Sequence, residues 1–171
     1  MVVLQQASPS ALNDIRREGL KRGSRGEKGD DRLIIQTDEY LDDARPADVK
    51  QMGLSRDDNL YAYVVHNDRA IDITDGKAVR VEAFIKNSEQ AVLRLSVDPE
   101  RCYVSDLDAY DTIKKAIKNS EGHSGLRTLA RNYWARVVRL DKFAGGSIKR
   151  PEVMITYDIS PADIEIVSAG K

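Results

Sequence analysis

Cysteine occurs once, as Cys102, so no internal disulfide can form and the chain fits a reducing compartment. Histidine occurs only as His66 and His123. Two imidazoles and one thiol cannot supply the four ligands of a usual structural zinc site, so no metal is expected. Aromatic residues make up 6%, which leaves the core to Val, Ile, Leu and Ala. No run approaches the ~18 apolar residues of a membrane span. The opening "MVVLQQASPS" has no basic segment ahead of a long apolar one, so no signal peptide is expected. Neither charge sign is in excess: 27 Lys and Arg stand against 28 Asp and Glu, giving no general attraction to polyanions or polycations. The expectation is a cytoplasmic protein, off the membrane, folded as a single domain over residues 1–171.

Familiar nucleophile and phosphate motifs are lacking as well. "GHSG" at 122–125 is one residue short of a GxSxG elbow. The loop "GSRGEKGD" lacks the G-K-[ST] ending of a P-loop. Its backbone with Arg22, Arg25 or Lys28 still suits a phosphate, although a surface loop has the same composition.

What is present is a soluble composition, 41% apolar and 32% charged, with charge segregated along the chain. Bases crowd Arg16–Lys28 and again 121–150, while acids gather in "TDEYLDD" and "DPERCYVSDLDAYD". Such segregation permits one positive face toward phosphates, or simply solvated faces of opposite sign.

The periodicity predicts a strand over 2–6, then a helix capped by Ser8 with Pro9 at its first position and Gly19 past its end. "RLIIQT", 32–37, reads as a strand, with Thr37 capping a short helix after it. A helical turn or two follows from Pro46. "NLYAYVVHN" reads as a strand, and "AIDITDGKAVRVEAFI" as two strands around Asp75-Gly76. "QAVLRLSVDP" and "RCYVSD" are strands, and Asp106 or Asp108 opens a helix. "SGLRTLARNYWARVVRL" is the longest helical pattern, followed by strands at "RPEVMITYDI" and "IEIVS". This order lacks the alternation of a doubly wound sheet and predicts α+β with a largely antiparallel sheet.

Three features suggest chemistry. Glu152 opens a predicted strand after Pro151, where a carboxylate suits a sugar hydroxyl or a developing oxocarbenium-like centre. Arg127, Arg131 and Trp134, at i, i+4 and i+7, share one helix face and suit a phosphate and a flat base. His66, in "VVHND", is a candidate general base. Each also has a plain structural reading: Glu152 as a solvated edge residue, Trp134 as core beside solvated arginines, and His66 as a surface residue.

The stretch "VLQQASPSALNDIRREGL" resembles the opening of ADP-ribosyltransferase-fold proteins. These begin with a strand carrying a Leu-Tyr-His-Gly-Thr-like motif, followed by a Ser/Pro-capped helix ending in Glu-Gly-Leu. "RPEVMITYDISPADIEIV" is similar to their close, where a Glu starts a strand ahead of an Ile-x-Pro-x-x-Ile-like turn. "AVLRLSVDPERCYVSDLD" and "ARNYWARVVRLDKF" look like middle segments of bacterial and viral members. The resemblance implies a mostly antiparallel split sheet with flanking helices, and NAD as substrate. Counting back from Glu18-Gly19-Leu20, the family histidine that binds the adenosine ribose falls on Gln5, and its Thr on Ala7. Gln5, Gln6 and Ser8 would then hold the adenosine side and Glu152 the nicotinamide ribose. Tyr61 and Tyr63 are the candidates for the stacking aromatic, with Tyr40 behind them. An amide donates and accepts but does not titrate, so Gln5 is a departure from the pattern. Two functions follow: mono-ADP-ribosyl transfer from NAD to a nucleic acid or protein, or a non-catalytic module of the same fold binding a nucleotide, nucleic acid or protein. In the second, Arg22, Arg25, Arg127, Arg131 and Trp134 would carry phosphate or nucleic-acid contacts. Related RNA 2′-phosphotransferases use Arg and His together, and the basic run here offers no histidine.

Overall fold

A computed structural model describes residues 1–23, 31–120 and 122–171. The first strand, β1 (Val2–Ala7), lies inside an antiparallel sheet rather than at its edge. The other members are β2 (Leu60–Tyr63), β6 (Ala91–Ser96), β7 (Cys102–Asp106), β8 (Val138–Arg139), β9 (Pro151–Ile155) and β10 (Ile164–Ser168). They form a seven-stranded sheet in the order β10-β6-β1-β2-β9-β7-β8, antiparallel at each pairing. A separate three-stranded sheet joins β3 (Val65–His66), β4 (Arg69–Ile71) and β5 (Ala78–Arg80). The chain is thus mixed α and β, with open antiparallel sheets and flanking helices.

Strand alternation sorts the core into two faces. On one face Val3, Ala62, Leu93, Leu95, Cys102, Val104, Val153 and Ile155 pack with Leu12 and Ile15 of α1 (Leu12–Glu18). The other face carries two separate clusters. Met154 packs with Leu41, Ile113, Tyr133 and Trp134 from α2 (Arg32–Asp43), α5 (Leu107–Lys118) and α6 (His123–Ala135). Leu4 and Val92 pack instead with Ala70 of β4 and Val81 of α4 (Val81–Asn87).

Local signals explain most element ends, and several differ from expectation. Pro9–Ala11 is a 3-10 turn before α1, and Ser8 makes no cap hydrogen bond; its Oγ lies 2.8 Å from Ser10 Oγ. Gly19 does close α1, at φ 77°, and a Cβ there would sit 2.1 Å from Ile159 O. That close approach permits the paired bonds between Leu20 and Ile159, each 2.9 Å.

The segment "RLIIQT" is helical, not extended: it opens α2. Asp31 caps this helix by accepting from the Leu33 and Ile34 N–H groups at 3.0 and 3.3 Å. Thr37, Asp38, Leu41 and Asp42 form its buried stripe, so helical burial prevails over the β-branched character of Ile34-Ile35. A short helix, α3 (Ala47–Gln51), follows Pro46 as expected. The strand over 59–67 breaks at Val64, and its second part crosses to the small sheet. Asp75-Gly76 lies in the connection between β4 and β5, but the second expected strand stops at Arg80 and becomes α4. Likewise α6 ends at Ala135, because Val138 and Arg139 pair with Val104 and Tyr103 at the sheet edge. Among the described residues no helix is long and apolar enough to cross a membrane.

Candidate functional site

β1 and β2 pair only at Leu4 with Tyr63. Beyond that pair β1 continues against β6 through Ala7, while β2 continues against β9 through Leu60. The sheet therefore opens between Gln5–Ala7 and Leu60–Ala62. Gln5 bridges the opening by donating from Nε2 to Tyr61 O at 2.8 Å. Gln6 accepts from the Tyr63 hydroxyl at 2.8 Å and donates to Ser88 Oγ at 2.9 Å. The two amides thus replace the missing strand pairing with side-chain bonds. Gln5 is 4% exposed, and its Oε1 has no hydrogen-bond partner among the described residues. Exchanging its oxygen and nitrogen would set two acceptors against each other at Tyr61, so the amide orientation is fixed by the network.

A second set of residues approaches from the helical side. The turn 55–59 is latched to α2 by Asp42, which accepts from Ser55 Oγ at 2.8 Å, Arg56 N at 2.6 Å and Asp57 N at 3.1 Å. Asn59 Oδ1 closes the turn by accepting from Ser55 N at 3.0 Å. This places the Arg56 guanidinium under β9. It meets Glu152 Oε1 at 2.8 Å, Asp38 Oδ1 at 3.2 Å and the Tyr133 hydroxyl at 3.0 Å. Its carbon lies 4.6 Å from the Tyr61 ring centre and 4.4 Å from that of Tyr110, a cation–π arrangement on both rings.

Burial opposes the Arg56 charge, but Tyr133, Tyr61, Glu152 and Asp38 outweigh it and hold the group well above the ordinary arginine value. Burial pushes the Tyr61 and Tyr110 phenols up, with Arg56 pulling in the other direction, so both remain hydroxyl donors. Tyr110 donates to Asp38 at 2.9 Å and Tyr61 to the Arg56 carbonyl. Glu152 uses Oε1 for Arg56, and the described residues give Oε2 no hydrogen bond.

These two sets border one cleft of about 710 Å³, within the usual range for small-molecule sites. Gln5, Gln6, Ser8, Tyr61, Tyr63 and Glu152 all line it, with Asp38, Arg56 and Tyr110 on the helical side. It lies where the two clusters on this sheet face part. Ile73 and Thr74 add a wall from the loop after β4. Arg150 braces that wall: it donates to Ile73 O at 2.7 Å and pairs with Asp111 at 2.7 Å and Asp108 at 2.9 Å. The cation beside Glu152 is therefore Arg56 rather than its sequence neighbour Arg150.

The other expected residues lie elsewhere. Trp134 is not a platform: it is 2% exposed, and its Nε1 donates to Leu41 O at 2.8 Å. The helix turns it into the core, whereas Arg127 and Arg131 are set toward solvent. Those two arginines border a separate recess of about 340 Å³ with Tyr40, Asp43 and Arg45. Tyr40 is thus removed from the cleft as well. Arg22 contacts Asp158 through its backbone N at 2.8 Å and its Nε at 3.4 Å, and does not line the cleft. The Arg22 backbone N–H, with the side chain behind it, holds the Asp158 carboxyl below its ordinary value. Arg25 and Lys28 fall in 24–30, outside the described residues. His66 is exposed at the end of β3. Among the described residues no three His, Cys, Asp or Glu side chains gather as metal ligands.

Sequence reading missed Arg56, Asp38, Asp42 and Tyr110. A signal for the acids was present in the short helix expected after Thr37: Asp38 and Asp42 are four residues apart and so share a face. Arg56 itself carries no periodic signal. The chain matches no known protein family, no curated protein and no solved structure.

Proposed function

We propose that this cleft takes NAD and that the chain is an ADP-ribosyltransferase-fold enzyme passing ADP-ribose to a nucleic acid or protein acceptor. One observation supports this above the others. Gln5, Gln6, Ser8, Tyr61, Tyr63 and Glu152, far apart in the chain, border the same nucleotide-sized cleft. In the reaction the C1′–N bond to nicotinamide breaks and its electron pair returns to the ring, releasing neutral nicotinamide. The acceptor's lone pair then forms the new bond to C1′, and the acceptor loses its proton. The transition state gathers positive charge on the ribose, and a carboxylate beside it is stabilising. Glu152, held by Arg56 at 2.8 Å on the cleft wall, is the carboxylate that would face that charge.

Glu152→Gln is expected to cut nicotinamide release from NAD by at least about 100-fold, with NAD affinity by calorimetry and the melting temperature little changed. Unchanged turnover in that variant would remove the assignment. A second reading has its own support: Glu152 already holds Arg56, and Gln5 cannot titrate. On it the cleft binds nucleotide without chemistry. Calorimetric NAD binding without nicotinamide release, in wild type and variant alike, would select that reading.

A further inference from the structure

Resting on the transferase reading of the cleft, we propose that Arg56 is a positioning residue, which fixes the Glu152 carboxylate through Oε1 and leaves Oε2 to the ligand. Four features make Arg56 a rigid support. Its backbone N is held by Asp42 at 2.6 Å. Its guanidinium edge is held by Asp38 at 3.2 Å and by the Tyr133 hydroxyl at 3.0 Å. The Tyr61 and Tyr110 rings lie 4.6 and 4.4 Å from its carbon. The residue is 5% exposed, so water competes little for the fork.

Glu152 has the opposite character. It has a long, rotatable side chain near the start of β9, bordering the cleft, and its Oε1 accepts from Arg56 Nη1 at 2.8 Å. A carboxylate acting on a reacting carbon has to be held within about 0.5 Å of its productive place. The planar guanidinium can do this while its Nε holds Asp38 and the same Nη1 also donates to Tyr133, whereas an ammonium is a point charge with no fixed plane. Stability alone is a weak reason for such a cluster, because buried ion pairs are often replaceable by apolar residues without loss. The charged fork has a clear use as a brace for the one carboxylate that reaches the cleft from β9.

The test compares wild type, Arg56→Lys and the double variant Arg56→Met/Asp38→Asn by crystallography and by NAD kinetics. The double variant is included because removing Arg56 alone leaves Asp38 buried without its cation, which can prevent folding. In both variants the Glu152 carboxylate is expected to leave its wild-type conformation or spread over several. With it, kcat should fall about 100-fold while KM stays within about threefold. A Glu152 carboxylate unmoved in both variants, or kcat retained, overturns the proposal. If wild type releases no nicotinamide, the transferase reading fails on its own, and the Glu152 conformation in the variants alone decides the role of Arg56.

Discussion

At the residue scale, Trp134 shows how one side chain can be misassigned by spacing alone. Arg127, Arg131 and Trp134 fit a single helical stripe, yet the indole is core and its N–H has a structural task. Leu41 lies in the last turn of α2, where carbonyls lack helical donors. The Arg45 N–H that could serve Leu41 goes instead to Asp42 O at 3.3 Å. Trp134 Nε1 supplies the bond at 2.8 Å and so ties α6 to the end of α2. Trp134→Phe keeps most of the ring packing but leaves a buried carbonyl without its donor. The expected cost is roughly 1–3 kcal/mol, measured by urea unfolding followed by far-UV circular dichroism. Oligonucleotide binding, if wild type has any, should be unaffected. A variant that stays fully stable and loses such binding would return Trp134 to the surface platform.

At the element scale, α2 connects the fold to the cleft. Its inner stripe supplies Leu41 to the core, Asp38 to the guanidinium and Asp42 to the turn that presents that guanidinium. Asp42 lines no part of the cleft, so its influence there runs through Arg56. Asp42→Ala removes an acceptor of two backbone N–H groups and one hydroxyl. It should destabilise the protein by roughly 3 kcal/mol and abolish the slow hydrogen exchange of the Arg56 and Asp57 amides. Retained protection at those two amides would show that the turn is held by other means. The same helix marks the limit of what the sequence discloses. Strands β1, β6, β7, β9 and β10 are readable because alternation or continuous apolar runs announce them. The cap at Asp106 is equally plain, since its carboxylate accepts from Asp108 and Ala109 N–H groups. The run Leu33-Ile34-Ile35 is too short for periodicity to separate strand from helix, and only the buried stripe that continues through Thr37, Asp38, Leu41 and Asp42 decides the matter. The i, i+4 acids Asp38 and Asp42 already fell in the short helix expected after Thr37, but no local signal tied them to Arg56. The shared cleft of the glutamines, Tyr61, Tyr63 and Glu152 was expected only through the family resemblance. Its physical basis, the parting of β1 from β2 after one pair, is a matter of sheet register that no local signal carries.

At the scale of the whole molecule, the lone cysteine is a reporter of cooperativity. Cys102 lies on β7, paired to Ile155 of β9, and its side chain is in the main core with no exposed surface. Burial, aided by Asp98 and opposed by Arg101, pushes its thiol from an ordinary value of 9.0 to about 12. Two consequences follow. The native thiol is both protonated and inaccessible, so a disulfide reagent at neutral pH should label it only through openings that break the seven-stranded sheet. Labelling should then be slower than in the unfolded chain by about 1,000-fold or more, the factor set by an ordinary domain stability. The second consequence is alkaline destabilisation. Between about pH 9 and about pH 12 the unfolded chain has lost the thiol proton while the folded chain retains it. The folded state binds more protons there, so stability falls as pH rises, by up to about 1.4 kcal/mol per unit. Below that window both states are protonated and the group contributes no pH dependence. Cys102→Ala should be less stable at neutral pH because of the lost packing, yet show a shallower decline above pH ~9 than wild type. Urea midpoints measured across the alkaline range for both proteins give the comparison. Parallel declines, or rapid labelling of a chain whose circular dichroism is still native, would mean that β7 opens independently of the rest of the sheet.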